Sequence, residues 1–341
     1  MTALLRILAG LGLLAGAVVL IGFMLPHRAH VERSAVIPAP RCEVYGVLDS
    51  FRVFDRWSPW ADKDPQMKVR LSGPPAGAGA YYDWSGNKSV GSGTQHIVAT
   101  APDTSIDLDL KFSGFDGASQ VRYTLEPDGD NTRVTWAMDT TLGSNPLAPY
   151  FGLLMDYTVG PDFEAGLARL KAYVEQQPKL DCAALGVRLI DNAPLDYGFL
   201  SGTTTTDPEA ISKALDAAYQ QIGKVIKDVG LEVKGPPIAI TRRWDEEAKV
   251  YSFDAGLPVA HPPPSTADTG DVKFARTKPG LTLRFEHKGP YSDFAKLYAG
   301  IDDYKKLTGL ETNGDSWEEY LSDPSKTPAA EQLTRIYVPV K

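Results

Sequence analysis

Residues 317–320 read Trp-Glu-Glu-Tyr, and an acid set between aromatic rings is the strongest chemical feature of this sequence. Removing a carboxylate from water raises its pKa unless a cation or hydrogen-bond donors answer it. Aromatic faces and an anion both attract positive charge, so the pattern suits a cationic or polarised apolar ligand. The acid also interrupts an internal repeat. Residues 230–235 read GLEVKG and residues 309–314 read GLETNG, an offset of 79. At that offset Tyr219 matches Tyr298, Ile222 matches Ile301, and IAIT (238–241) lies against WEEY (317–320), so Glu318 stands where its duplicate carries Ala239. Strand alternation sends Glu318 and Glu319 to opposite faces, and one of them is expected to meet solvent.

Other chemistries find little support. Five histidines assemble no Ser/His/Asp or Cys/His set; His96 stands alone on an expected strand, and Asp83 beside Trp84 reads as a solvated or strand-end residue. Two cysteines, Cys42 and Cys182, 140 residues apart, make neither a disulfide scaffold nor a Cys-rich metal site; a single Cys42–Cys182 bridge in an oxidising compartment stays open as the alternative. No metal ligand set and no cofactor motif is read. Lys+Arg 35 against Asp+Glu 43 gives a net charge of −8, with no basic stripe for phosphate, so nucleic acid is not an expected partner.

The elements that position these residues follow from periodicity, and they give an α+β class. A helix over about 207–229 and another over about 292–308 each precede one GLE copy and end at a glycine, a C-cap choice. A strand leads into each copy; the second alternates Leu281, Leu283, Phe285 and His287 with polar residues. A strand follows each copy too. The unit is a duplicated β-α-β-β element, expected to join edge to edge into an antiparallel sheet with a cleft across its pseudo-twofold axis.

Ahead of it, residues 32–177 read as a separate domain. A short strand at 31–40, a helix at 41–54 and an aromatic turn at 55–65 precede three clear alternators, among them Ile106-Leu108-Leu110-Phe112 and Val134-Trp136-Met138. Phe163, Leu167, Leu170 and Val174 then mark one stripe of a helix over 162–176. Trp57, Trp60, Tyr81, Trp84, Phe112 and Trp136 supply more aromatic bulk than a small dry core needs. Residues 178–194 form the expected linker.

Two family resemblances rest on ordered motifs. WSPWADKDP (57–65), GPPAGAGAYYDWSG (73–86), VGSGTQHI (90–97), TRVTWAMDT (132–140) and VGPDFEAGLARLK (159–171) resemble the polyketide cyclase/START-like superfamily, also called SRPBCC. That resemblance implies a helix-grip fold, a bent sheet around one long helix enclosing a hydrophobic cavity, with Trp57, Trp60, Trp84, Phe112 and Trp136 as ligand-contacting candidates. GPPIAI (235–240), GLPV (256–259), EHKGPYSDF (286–294), WEEYLSDP (317–324) and TRIYVPV (334–340) resemble the GyrI-like effector-binding family over about 185–341. There a glutamate of a Glu-x-Tyr motif meets cationic or polar drugs in an aromatic cleft. This implies Glu318 and Tyr320 as ligand contacts, with Tyr291 and Trp317 as walls. Some members are reported as hydrolases using the same glutamate, which makes Glu318, Tyr291 and Tyr320 the catalytic candidates. The DNA-binding domain that usually accompanies this module in regulators is missing from the sequence, and HPPPSTADTG (261–270) reads as a loop insertion.

The remaining feature is apolar. Residues 7–26 carry no charge, and twenty residues at 1.5 Å each span about 30 Å, one bilayer core. The run is longer than the apolar region of a secretory leader and ends without a small-x-small site, so an uncleaved anchor within 1–31 is favoured over a signal peptide. Arg6 on one side and Arg28, Arg33 and Arg41 on the other set no orientation. The expectation is a single-pass protein of the bacterial inner membrane that binds small molecules. A hydrophobic ligand or lipid would occupy the first domain and an amphipathic or cationic effector the second. A hydrolase with Glu318 as general base and Tyr291 or Tyr320 as donor, and a regulatory scaffold acting through a partner, are the alternatives.

Overall fold

The computed structural model describes residues 2–341; Met1, the first residue of the expected anchor, lies outside them. Among the described residues the chain forms two compact units, one running to Lys179 and including Leu307–Gly309, the other made of Leu180–Lys306 and Leu310–Lys341.

The first unit opens with helix α1 (Thr2–Met24). Its Arg6–Met24 stretch is long and apolar enough to cross a membrane, and little of it is buried in the protein. Strand β1 (Arg28–Ile37), helix α2 (Arg41–Leu48), and two short helices, α3 (Phe54–Trp57) and α4 (Pro59–Lys63), come next. Six further strands follow: β2 (Lys68–Ser72), β3 (Tyr81–Ser85), β4 (Ser92–Ala101), β5 (Ser105–Phe112), β6 (Ala118–Asp128) and β7 (Asn131–Thr141). They form an antiparallel sheet in the order β1-β7-β6-β5-β4-β3-β2. Its alternators behave as the period of two demands: in β6 and β7, Val121, Tyr123, Leu125, Val134, Trp136 and Met138 are all buried.

Short helix α5 (Ala148–Gly152) leads into the long helix α6 (Met155–Glu175), gripped against β1 and β7. Phe163 of α6 stacks on Trp136 with ring centres 4.2 Å apart and planes 12° from parallel. Gly166 makes that approach possible, since a Cβ there would sit 2.6 Å from the Trp136 ring. This is the helix-grip arrangement expected of the first domain. Two helices differ from the sequence reading. The 41–54 helix ends at Leu48 and resumes as a 3₁₀ turn at Phe51–Val53 followed by α3. Helix α6 begins at Met155 rather than near 162 and carries Pro161 inside it. Proline pre-sets a helical φ and suits a first turn, so Gly160-Pro161 reads as a helix start; here the added turns lie on its N-terminal side.

The second unit contains α7 (Cys182–Leu185), β8 (Arg188–Asn192), β9 (Asp196–Thr204), α8 (Pro208–Asp228), β10 (Ile238–Asp245) and β11 (Val250–Val259), so the stretch 178–194, expected as a linker, carries α7 and a strand of the sheet. Its second half contains β12 (Lys273–Arg276), β13 (Gly280–Lys288), α9 (Phe294–Thr308), β14 (Trp317–Tyr320) and β15 (Leu333–Pro339). Asp207 caps α8 by accepting the Ala210 amide at 2.9 Å, worth about 1 kcal/mol against alanine. The antiparallel sheet runs β12-β9-β11-β10-β14-β15-β13-β8. Read from the middle, β10-β11-β9 on one side mirrors β14-β15-β13 on the other, so the duplicated β-α-β-β reading holds. The GLE copies behave alike as well: Val233 bridges to Val259 and Thr312 to Val340.

Candidate functional site

Strands β10 and β14 meet at the centre of the sheet, antiparallel, with Ala239 opposite Glu318 and Ile238 opposite Glu319. Ala239 and Glu318 are also the equivalent positions of the repeat, so Glu318 lies beside the pseudo-twofold axis and faces its own duplicate. On the face carrying Ala239, α8 packs Leu215, Ile222 and Ile226 against Tyr251, Phe253, Ala255, Leu257 and Val259. Tyr320 packs against this cluster too. The opposite face holds Tyr197, Ile238, Ile240, Trp317 and Tyr337.

Glu318 is 5% exposed. The Tyr298 hydroxyl of α9 donates to Glu318 Oε1 at 2.5 Å, and the Tyr320 hydroxyl donates to Oε2. Burial pushes the Glu318 carboxyl above its usual range, while these two phenols draw it back down by stabilising the charge. The same carboxylate acts on five tyrosines. Tyr219, Tyr251, Tyr291, Tyr298 and Tyr320 are all held above the ordinary phenol range, by burial first and by the nearby Glu318 charge second. Tyr291 packs edge-on against Tyr320 with ring centres 5.6 Å apart. Asp216 and Asp323 add smaller negative contributions at Tyr291.

Asp254, the other buried acid of the same domain, is answered differently. It is also 5% exposed, and it accepts from Ser201 Oγ at 2.6 Å and from the Arg242 guanidinium at 2.7 Å. Among the described residues no lysine or arginine answers Glu318; its partners are phenols. What the arrangement can do is accept a cation, or take up a proton, among tyrosine rings.

In the first unit the aromatics pack on one another. Trp136 has ring centres 5.7 Å from Trp57, 5.8 Å from Trp60 and 5.2 Å from Tyr123. Trp57, Tyr123 and Trp136 are all but fully buried, and Trp57 Nε1, Trp136 Nε1 and the Tyr123 hydroxyl find no hydrogen-bond partner among the described residues. A buried polar group left unpaired costs about 1–3 kcal/mol, and three in one cluster is unusual for a well-packed interior.

Residues 28–175 match the family described as polyketide cyclase / dehydrase and lipid transport, and residues 187–341 match the GyrI-like small molecule binding domain. The chain is a polyketide cyclase-type domain fused to a GyrI-like domain. Both domains are of small-molecule-binding type. Similar solved structures include a hydrolase from Listeria innocua, 19% identical, covering 46% of this chain and 91% of that one with a TM-score of 0.34. The EcmrR C-terminal domain is 17% identical over 46% of this chain and 96% of its own, with a TM-score of 0.40. Protein CV1439 from Chromobacterium violaceum is 15% identical over 43% of this chain and 96% of its own, with a TM-score of 0.34. No curated protein matches the chain.

Within the GyrI-like domain the structure brings Glu318, Tyr320 and Tyr291 together. It separates Trp317 from them. Trp317 lies on the other face of β14, stacked on Tyr337 with ring centres 5.0 Å apart, because neighbouring strand residues point oppositely. Glu319 shares that face and, rather than meeting open solvent, accepts from the Tyr337 hydroxyl at 2.9 Å. Sequence reasoning missed Tyr219, Tyr251 and Tyr298 as site residues. For two of them the signal was present, since Tyr219 and Tyr298 are repeat equivalents. Tyr298 reaches the carboxylate, whereas Tyr219, opposite the alanine copy, donates to the Ile238 carbonyl at 3.0 Å. In the polyketide cyclase-type domain Trp57, Trp60 and Trp136 cluster. Trp84 packs edge-on against Phe112 instead, with ring centres 5.7 Å apart, and Phe112 is 41% exposed at the end of β5, outside the buried cluster.

Proposed function

We propose that the chain is a membrane-anchored binding protein with two ligand modules. The GyrI-like domain takes an amphipathic or cationic small molecule at Glu318, with Tyr291, Tyr298 and Tyr320 around it. The polyketide cyclase-type domain takes a hydrophobic ligand or lipid beside Trp57, Tyr123 and Trp136, and α1 holds the chain in the bilayer. The observation that carries this reading is Glu318: a buried acid beside the pseudo-dyad, answered among the described residues by phenols and by no cation, in a domain that gives its other buried acid an arginine. A cation entering there gains both the charge and the ring faces, and its attraction is strengthened by the low local dielectric. In the first domain, a ligand bearing a hydrogen-bond acceptor would satisfy the two indole N–H groups and the phenol. Native mass spectrometry of the detergent-extracted full chain tests the proposal. Two chemically distinct bound species are expected, one basic and lost in Glu318→Gln, one hydrophobic and retained. A wild-type protein that releases no small molecule and takes up neither class would end the proposal.

A further inference from the structure

Helix α1 is not free along its length. Val18 and Gly22, one turn apart, form the side that meets the loop ahead of α5 and α5 itself. The Tyr150 hydroxyl donates to the Val18 carbonyl at 2.8 Å, and a Cβ at Gly22 would lie 1.9 Å from the Pro146 carbonyl oxygen, so only glycine allows this approach. Val18 is six residues short of the helix end at Met24, about 9 Å along the axis. Whatever packs against Val18 is therefore at the depth of the apolar span, not beyond it.

The segment that packs there is itself apolar and outward-facing. Leu147 is 46% exposed, Phe151 71%, Leu153 62%, Leu154 56% and Tyr157 82%. Five large side chains in eleven residues make a patch, not the scattered single exposures normal on a soluble surface. Its one carboxylate, Asp156, is tied to Arg33 at 2.7 Å. Tyr150, which would lose hydrogen-bonding water at that depth, has an internal acceptor instead.

We propose that residues 147–157 are a second membrane-inserting element, buried in the boundary between headgroups and hydrocarbon alongside α1. The occupant of the patch is the lipid bilayer. Amphipathic segments enter this boundary by about 5–10 Å, the depth at which Tyr150 meets α1. The patch includes the first turn of α6, the helix that the polyketide cyclase-type sheet grips, so this domain is seated on the bilayer and not carried on a loose tether. The inference rests on α1 being an anchor, and its test separates the two.

The full chain is reconstituted in phosphatidylcholine/phosphatidylglycerol vesicles that contain a phospholipid with a photoactivatable diazirine on its acyl chain, irradiated, and mapped by peptide mass spectrometry. Lipid adducts are expected both within residues 7–26 and within 147–157. Adducts in 7–26 with none in 147–157 would overturn this inference and leave the anchor standing. Adducts in neither would sink both. Crosslinks between two protein copies at 147–157, without lipid adducts, would assign the patch to self-association and also overturn it. In Phe151→Glu/Leu154→Glu, where both side chains are exposed and the core is untouched, labelling of 147–157 is expected to be lost while that of 7–26 is unchanged. Undiminished labelling of 147–157 in the variant would contradict the assignment.

Discussion

Glu318 and Asp254 are buried alike on one sheet, and the difference between arginine and tyrosine as their partner sets what each does. A carboxylate facing phenols stays poised: burial raises its pKa, and each hydroxyl that donates lowers it. A cation is drawn only to the ionised form, so cation affinity should rise with pH through the raised Glu318 pKa and fall away below it. Tyr298→Phe removes one donor to the charged form and should move that midpoint to higher pH. Tyr219→Phe, whose hydroxyl serves the Ile238 carbonyl, should move it less; affinities measured across pH 4–9 decide. A second acid gives an independent pH signature. Asp49, buried in the first unit, is raised to about 7 by desolvation, with a hydrogen bond from Tyr45 opposing the shift. Between its ordinary value of 3.8 and about 7 the folded chain holds a proton that the unfolded chain has released. Stability should therefore fall as pH rises through that window, by up to about 1.4 kcal/mol per unit. Asp49→Asn should flatten the slope in denaturant titrations, and an unchanged slope would remove Asp49 as its source. At this scale the sequence exposed Glu318 because its duplicate is an alanine, but it named Trp317 a neighbour by adjacency when alternation turns it away.

Helix α6 and strand β7 show which elements were readable. The stripe Phe163-Leu167-Leu170-Val174 and the alternation Val134-Trp136-Met138 face each other as their periods require, and all seven side chains are buried. The start of α6 was not readable, since Pro161 has the signature of a first turn and exposed turns ahead of it leave no apolar stripe. The duplication was legible from GLEVKG and GLETNG, but local pattern does not say which strands pair across the centre. That Ala239 would lie opposite Glu318 is long-range information carried by the sheet order. Trp136 links β7 to α3, α4 and α6. Trp136→Ala should cost about 3–5 kcal/mol, the usual range for a buried large aromatic. Thermal or denaturant unfolding measures this. A loss below about 1 kcal/mol, with altered binding of a hydrophobic fluorophore, would mean that the ring borders open space.

The whole molecule joins two domains of small-molecule-binding type to α1, a helix long and apolar enough to cross a membrane. If α1 is an anchor, the full chain should remain in the membrane fraction after carbonate washing, because its apolar stretch is long enough to cross about 30 Å of hydrocarbon. Recovery of the protein in the soluble fraction would remove the anchor while leaving both binding domains as they are. Glu318 is proposed to meet a cationic ligand. Isothermal titration of tetraphenylphosphonium, a lipophilic cation, into full-length protein in nanodiscs tests it most directly. Glu318→Gln should weaken binding by about 1–3 kcal/mol, the loss of one charge-assisted contact, and Glu319→Gln, on the opposite face, should leave it unchanged. Equal affinities in wild type and both variants, or binding in none of them, would contradict the account.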